Sequence, residues 1–199
     1  MPEPIITPTR KRLFMALPIP APIKTTLTHL QKPMQSIDLP VNWQAGKLMH
    51  LTTAFLGELD EGHTEKLTDV MSQVVSSFPR FRLELENLGA FPSFGNPRVL
   101  WIGLQPSRPL IALQLQLAAA LKQAGYLIEP REFHPHITLG RCPHDLERTD
   151  RQRVQALLSQ RITLQGESTW EVDRMHLYES HSDEFGLHYS PLSGVMLQA

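Results

Sequence analysis

Cysteine, long apolar runs and an excess of either charge are what this chain of 199 residues has least of. Its one cysteine, Cys142, excludes an intramolecular disulfide and is typical of proteins in a reducing compartment. The formal net charge of −1 argues against a protein that coats long nucleic acids, because those usually present a basic surface. No apolar run reaches the roughly 18 residues that span a bilayer, and the first residues lack the basic flank and apolar core of a secretion signal. We therefore expect a cytoplasmic protein that does not enter a membrane.

Motifs of several common enzyme classes are also missing. The chain has no glycine-rich phosphate loop of the Walker or Rossmann type and no Gly-x-Ser-x-Gly elbow, which argues against NTP hydrolysis and serine hydrolase chemistry. The zinc signatures His-Glu-x-x-His and Cys-x-x-Cys are absent as well. His134, His136 and His144 lie close together, but no Asp or Glu stands at a comparable spacing in the strand predicted there. We expect neither a metal nor a cofactor, and a histidine metal site stays the weaker alternative.

The hydrophobic content of 41% is enough for a sizeable core over residues 1–199, either as one domain or as two small lobes that share an interface, and we expect residues 1–10 to be a loose tail. Apolar spacing and the positions of proline and glycine predict four helices, at 23–30, 64–78, 110–124 and 148–160. The same patterns predict strands at 13–17, 48–56, 82–88, 98–104, 133–139, 163–165, 171–178 and 188–197. Residues 89–97 are expected to connect two of them. The order helix, strand, helix, strand pair occurs twice, which indicates an internal duplication.

Two predicted strands carry the same short motif. His50 and Thr52 lie two residues apart in one strand, and His136 and Thr138 lie two apart in another. Because side chains alternate across a strand, each pair shares one face while the residue between points to the core. Each pair thus offers a titrating imidazole beside a neutral hydroxyl donor.

Two such histidines suit the cleavage of a phosphodiester. An in-line displacement at phosphorus needs a base on the entering oxygen and an acid on the leaving oxygen, and imidazole can serve as either near neutral pH. The hydroxyls of Thr52 and Thr138 would bind the non-bridging oxygens. A single histidine on a strand is more often structural, so the hypothesis depends on the two motifs meeting across one cleft.

With their flanks, these motifs resemble the two-histidine (2H) phosphoesterase superfamily, and within it the bacterial RNA 2′,3′-cyclic phosphodiesterase family, also called LigT or 2′-5′ RNA ligase. The resemblance extends in order over nearly the whole chain. The segments that carry it are Arg12–Phe14, His50–Gly57, Arg98–Gly103, Phe133–Leu139 and Leu177–Ser180, followed by Gly186 and Tyr189.

The resemblance implies an α/β (α+β) fold with two pseudo-twofold-related antiparallel sheets, flanking helices and a central cleft. It also implies metal-free hydrolysis of a 2′,3′-cyclic phosphate to a 2′-phosphomonoester, with His50 as the proton donor and His136 as the proton acceptor. The sequence alone does not assign those two roles. Arg141, five residues beyond His136, matches a family arginine near the phosphate, although strict alternation would turn it away unless a bulge or strand end intervenes.

Further substrate contacts are expected around the two motifs. His134 is a polar neighbour of the site, and Phe14, Phe55, Phe91 and Tyr189 are candidates to stack on a base, with core packing as the alternative for each. Trp101 is expected to be structural.

The expected substrates are RNA 2′,3′-cyclic phosphate ends or cyclic nucleotides. Two alternatives stay open: 2′-5′ RNA ligation by the reverse reaction, and a nucleotide-binding module without turnover. The chain's size favours a monomer, and the sequence implies no protein partner.

Overall fold

A computed structural model describes residues 10–128, 132–160, 162–184 and 186–199. The strands in this part of the chain are β1 (Arg10–Pro18), β2 (Asn42–Trp43), β3 (His50–Asp60), β4 (Phe81–Ser93), β5 (Asn96–Leu104), β6 (His136–Arg141), β7 (Thr169–Val172), β8 (Arg174–Asp183) and β9 (Gly186–Met196). The helices are α1 (Ala21–Gln35), α2 (His63–Val75), α3 (Arg108–Gln123) and α4 (Arg148–Leu158), and a single 3₁₀ turn spans Gly46–Leu48. No helix of the described segments is long and apolar enough to cross a membrane.

The strands form two antiparallel sheets, each with helices against one face. One sheet has the order β3-β1-β8-β9 and the other the order β2-β6-β5-β4-β7. Helices α2 and α3 pack on the four-stranded sheet, and α4 packs on the five-stranded sheet. Helix α1 joins α4 there, since Gln31 of α1 donates a hydrogen bond of 2.8 Å to the carbonyl of Leu139 in β6. The sheets meet at β3 and β6, which are the two strands that carry the His-Thr motifs.

The order of helices and strands repeats along the chain, and the repeated order begins one strand earlier than the sequence pattern indicates. The first repeat is β1-α1-β3-α2-β4 and the second is β5-α3-β6-α4-β8. In each repeat the final strand leaves its own sheet: β4 pairs with β5 of the second repeat, and β8 pairs with β1 of the first. Each sheet is therefore built from both halves of the chain.

Helix α3 illustrates how local sequence positions these elements. Ser107 caps its first turn by accepting a hydrogen bond from the backbone N–H of Leu110, and the helix closes at Gly125, whose φ of +91° suits glycine. One side of the helix is fully buried against the core, through Leu110, Leu113, Leu117 and Leu121. The buried apolar side chains of the described residues form one continuous cluster.

Three predicted boundaries on the β side are wrong. Residues 163–165 are not a strand, and the following Gly166 packs against Thr26 of α1. Residues 171–178 are not one strand either, since the chain leaves one sheet after β7 and enters the other at β8. The connection predicted at 89–97 is instead mostly β4 and β5, which pair up to Ser93 and Asn96.

The other differences concern element ends. Helix α1 continues past the predicted end at residue 30 and includes Pro33, which removes one backbone hydrogen bond from the last turn of the helix. The two-residue strand β2 was not predicted, because so short a strand has no periodicity. Of the predicted tail, residues 1–9 lie outside the described residues and Arg10 is the first residue of β1. The remaining helices and strands are confirmed, with ends that differ by a few residues.

Candidate active site

The His-Thr pair of β3 lies on one face of the strand, as the alternation predicts. His50 and Thr52 are half-buried, whereas Leu51 and Thr53 are buried on the opposite face. The Thr53 hydroxyl donates a hydrogen bond of 3.0 Å to the carbonyl of Met15, which satisfies it within the core. The face with His50 and Thr52 is therefore open to a ligand.

The pair of β6 repeats this arrangement. His136 and Thr138 are half-buried, and Ile137 between them is completely buried. The two histidine rings are also held in the same way. His50 donates its Nδ1–H to the carbonyl of Leu48 at 2.7 Å, and His136 donates its Nδ1–H to the carbonyl of His134 at 2.6 Å.

These two hydrogen bonds define the tautomer of both rings. A carbonyl oxygen only accepts, so the proton of each neutral imidazole lies on Nδ1 and the lone pair lies on Nε2. Each Nε2 can then accept a proton, or donate one once the ring is protonated. The matching geometry leaves both rings prepared for proton transfer.

Burial keeps both rings neutral in the free protein. It lowers the pKa of His50 to about 4, against the opposing effect of the Leu48 carbonyl and with further lowering by His136, Lys24 and Arg141. Burial likewise lowers the pKa of His136, with smaller contributions in the same direction from His134 and Arg141. The effect of His136 on His50 shows that the two rings lie within electrostatic range of each other.

A β-bulge turns Arg141 towards the histidines. Trp101 of β5 pairs with Thr138 and Leu100 pairs with Gly140, so Leu139 is an extra residue in β6. The bulge shifts the alternation by one position, and Arg141 emerges exposed on the side of His136. The condition that the sequence set for this residue is thus met, and its charge lowers the pKa of both histidines.

The same bulge occurs in β3. Ala16 pairs with Thr52 and Met15 pairs with Ala54, which leaves Thr53 as the extra residue three positions after His50. Phe55 therefore occupies the position in β3 that Arg141 occupies in β6, and its side chain is 52% exposed. The two strands have the same sequence of exposed and buried positions from the histidine onwards.

Aromatic rings surround His50. The ring of Phe14 lies 4.8 Å from that of His50, and the ring of Tyr189 lies 4.9 Å from it, edge to face. Tyr178 stacks on Phe14 at 5.2 Å. Phe14 is only 3% exposed, so it packs beneath these rings as part of the core. Phe55 and Tyr189 provide the aromatic surface that a ligand can reach.

A second aromatic group contacts His136. Phe91 lies 4.9 Å from the His136 ring, edge to face, and Trp101 lies 6.2 Å away. His134 lies beside the same two residues, 5.8 Å from Phe91 and 6.0 Å from Trp101. Trp101 borders the site, which corrects its purely structural assignment from the sequence.

Sequence reasoning missed Tyr178 and Trp101. Both lie in strands that do not carry the histidines, and their proximity depends on which strands are neighbours in each sheet. A pattern search along a single strand contains no signal for either residue.

The described residues provide no cluster of three His, Cys, Asp or Glu side chains that could hold a metal ion. His134 and His136 both contact the aromatic rings of Phe91 and Trp101. The metal alternative has no supporting geometry in this part of the chain.

Comparisons with known proteins agree with this geometry. The sequence profile of the 2′-5′ RNA ligase superfamily matches residues 39–184. The RNA 2′,3′-cyclic phosphodiesterase of Thermotoga maritima is 30% identical over 133 residues, which cover 67% of this chain and 71% of that protein. The protein of the same name from Escherichia coli is 36% identical over 135 residues, covering 66% and 72%.

Solved structures confirm the fold that the resemblance implied. The crystal structure of Escherichia coli LigT complexed with 3′-AMP matches 96% of this chain and 100% of its own, with a TM-score of 0.74 and 28% identity. TT0787 of Thermus thermophilus matches 94% of this chain and 98% of its own, with a TM-score of 0.76 and 23% identity.

Proposed function

The chain belongs to the 2′-5′ RNA ligase superfamily of two-histidine phosphoesterases, and we propose that it hydrolyses 2′,3′-cyclic phosphates at RNA ends to 2′-phosphomonoesters, with His50 and His136 as its acid and base. The observation that carries this proposal is the equivalent placement of the two imidazoles. Each ring is neutral, has its Nε2 free, and lies in electrostatic range of Arg141. The curated relatives named RNA 2′,3′-cyclic phosphodiesterase support the substrate class.

The reaction uses one proton acceptor and one proton donor. His136 Nε2 takes a proton from water as the water oxygen forms a bond to phosphorus. The bond between phosphorus and the 3′ oxygen breaks, and the protonated Nε2 of His50 supplies the proton that the 3′ oxygen needs. The product is a 2′-phosphate beside a free 3′-hydroxyl, and solvent exchange restores the two rings. Each positioned group contributes about 10²- to 10⁴-fold.

Three further side chains stabilise the phosphate. The hydroxyls of Thr52 and Thr138 donate to the non-bridging oxygens, and Arg141 adds a positive charge where negative charge accumulates in the transition state. The substrate's own negative charge also favours the protonated form of His50, because an anion beside the ring opposes the effect of burial. Substrate binding therefore favours the protonated form of His50, which is the general acid.

Ligation would open the cyclic phosphate in the same direction, with the 5′-hydroxyl of a second RNA in place of water as the entering nucleophile and the 3′ oxygen still leaving, so it needs the same residues. Water at about 55 M favours hydrolysis unless the second RNA end is held in place. A monomer contains every residue named in the mechanism, so we expect sedimentation to give the mass of a single chain.

Phosphorus NMR of a 2′,3′-cyclic mononucleotide in EDTA tests the proposal. The wild-type protein should give a 2′-phosphate, and His50→Ala and His136→Ala should each lose at least about 10²-fold in rate while keeping the wild-type unfolding midpoint. His144→Ala, which removes an exposed histidine in the loop after β6, is the matched control and should retain activity. Near-wild-type turnover in either active-site variant would refute the roles. A 3′-phosphate product would show that the 2′ oxygen leaves, which contradicts the role assigned to His50. A protein that only binds the nucleotide would leave the signal of the cyclic phosphate unchanged.

A further inference from the structure

A shallow groove bordered by three lysines lies between α1 and the 3₁₀ turn that precedes β3. Its volume is about 360 Å³. It is lined by Ala21, Lys24, Thr25, Thr28, His29, Lys32, Gly46 and Lys47. The lining thus includes three lysines and two threonine hydroxyls and contains no carboxylate.

The groove lies close to His50 through the segment that leads into β3. The charge of Lys24 lowers the pKa of His50, so the lysine lies within electrostatic range of that ring. The 3₁₀ turn packs closely on the helix, since a Cβ at Gly46 would lie 3.0 Å from the Thr28 hydroxyl. That turn runs through Met49 directly into His50.

The groove also continues away from the site. A second hollow of about 400 Å³ shares His29 and Lys32 with the first and extends to Thr163 and Gln165. From Lys24 to Lys32 the helix advances about 12 Å, at 1.5 Å per residue. This length accommodates more than one phosphate of an extended strand.

Within the described residues, no carboxylate pairs with the lysines of the groove. No ion pair of the described residues involves Lys24, Lys32 or Lys47. The whole chain carries a net charge of −1, so this cluster is a local concentration rather than part of a basic surface. Such a cluster attracts an anion. Burial lowers the pKa of Lys24, which means that its charged amine is destabilised when no anion is beside it.

We propose that this groove binds the sugar-phosphate backbone of the RNA that leads to the cyclic phosphate, so that the preferred substrate is the 3′ end of a single-stranded RNA. The inference rests on the proposed function of the His50 site. A 2′,3′-cyclic phosphate lies at a 3′ terminus, so all further nucleotides leave from one side of the terminal ribose, and one groove is sufficient. The lining has no Phe, Tyr or Trp, which suits phosphates and ribose hydroxyls more than stacked bases.

The test compares two substrates of different length. We would measure kcat/KM on a 2′,3′-cyclic mononucleotide and on an eight-nucleotide single-stranded RNA with the same terminal cyclic phosphate. The wild-type protein should prefer the longer substrate. The variant Lys32→Gln/Lys47→Gln should lower the ratio of the two values roughly 10-fold, chiefly through KM, and should make the salt dependence shallower by about 1.4 in a log–log plot.

A matched double variant on another surface controls for charge. Arg108→Gln/Lys122→Gln removes two exposed positive charges from α3, on the four-stranded sheet, and should leave both the ratio and the salt slope as in the wild type. Equal kcat/KM for the two substrates, or an unchanged ratio in Lys32→Gln/Lys47→Gln, would overturn the groove proposal while leaving the hydrolase intact. Failure of the wild-type protein to hydrolyse either substrate would instead refute the proposed function.

Discussion

At the scale of single residues, the backbone fixes the orientation and the tautomer of the two imidazoles. Each ring donates its Nδ1–H to the carbonyl two residues earlier, at 2.7 Å for His50 and 2.6 Å for His136. Other metal-free acid-base sites often use a carboxylate to orient the ring, which would also raise its pKa. A carbonyl orients the ring with less stabilisation of its positive charge, so burial can keep both histidines neutral until the substrate arrives.

The depressed pKa of His50 makes stability depend on pH. In the unfolded chain this pKa is near 6.5 and in the folded protein it is about 4, so the unfolded chain binds more protons between those values. The free energy of unfolding should therefore decrease as the pH falls from 6.5 towards 4. In His50→Gln this decrease should be smaller, as measured by urea unfolding at several pH values. His144→Gln is the control, and a wild-type dependence in His50→Gln would contradict the prediction.

The residues of the site that the sequence could identify are those related by position along one strand. The alternation of His50 with Thr52, and of His136 with Thr138, depends only on the period of two in a strand, and both faces are confirmed. Tyr178 could not be found in this way, because its contact with Phe14 depends on β8 lying beside β1. Which strands become neighbours is decided by the fold as a whole.

At the scale of elements, the bulge in β6 decides where Arg141 points. Without the extra Leu139, Arg141 would lie on the same side as Ile137, which is completely buried. The sequence indicated that a bulge was needed there but gave no signal for its position. A bulge depends on the partner strand, here β5, whose register no single segment specifies.

Replacing Arg141 should weaken both charge stabilisation and the electrostatic lowering of the histidine pKa values. We expect Arg141→Gln to lose about 2 kcal/mol of transition-state binding, roughly 30-fold in kcat/KM. The pKa of both histidines should rise, because the charge of Arg141 lowers them in the wild type. Steady-state kinetics from pH 3.5 to 8 measures both effects. Arg148→Gln, at the exposed start of α4, is the control, and equal kinetics in the two variants would count against this role.

The hairpin of β4 and β5 depends on a glycine opposite Trp101. A Cβ added at Gly89 would lie 2.1 Å from the indole ring, which lies 6.2 Å from His136. Gly89→Ala should therefore cost about 1–3 kcal/mol of stability by overpacking and should also reduce kcat/KM, because the displaced indole borders the site. Thermal unfolding and kinetics measure the two losses. Gly95→Ala in the hairpin turn, with its nearest atom at 3.9 Å, should change neither, and a harmless Gly89→Ala would disprove the packing argument.

At the scale of the whole molecule, neither half of the chain possesses a complete sheet. β4 of the first repeat pairs with β5 of the second, and β8 of the second pairs with β1 of the first. The sequence revealed the repeated order of elements, but not this exchange. Pairing between distant strands is set by the burial of the common core, to which both halves contribute.

The exchange predicts the behaviour of a divided chain. A cut in the turn at Phe94 and Gly95 separates β1–β4 from β5–β9. In the separate fragments β1 lacks its partner β8, and β4 and β5 lack each other. We expect each fragment alone to show no cooperative unfolding by circular dichroism, whereas the two expressed together should restore hydrolysis of a cyclic mononucleotide. Cooperative folding of one isolated fragment would argue that a repeat is self-sufficient. A cut chain that never regains activity would show that the covalent link is essential.

The strand exchange also bears on synthesis by the ribosome. His50 leaves the exit tunnel early, on β3, but the sheet that supports it stays two strands short until residues 174–196 have been translated. Tyr178 and Tyr189, which flank that histidine's side of the cleft, arrive in the same late segment. A nascent chain therefore holds one edge of β1 without its partner strand for most of its elongation, and the aromatic side of the His50 site is complete only after the last two strands have emerged.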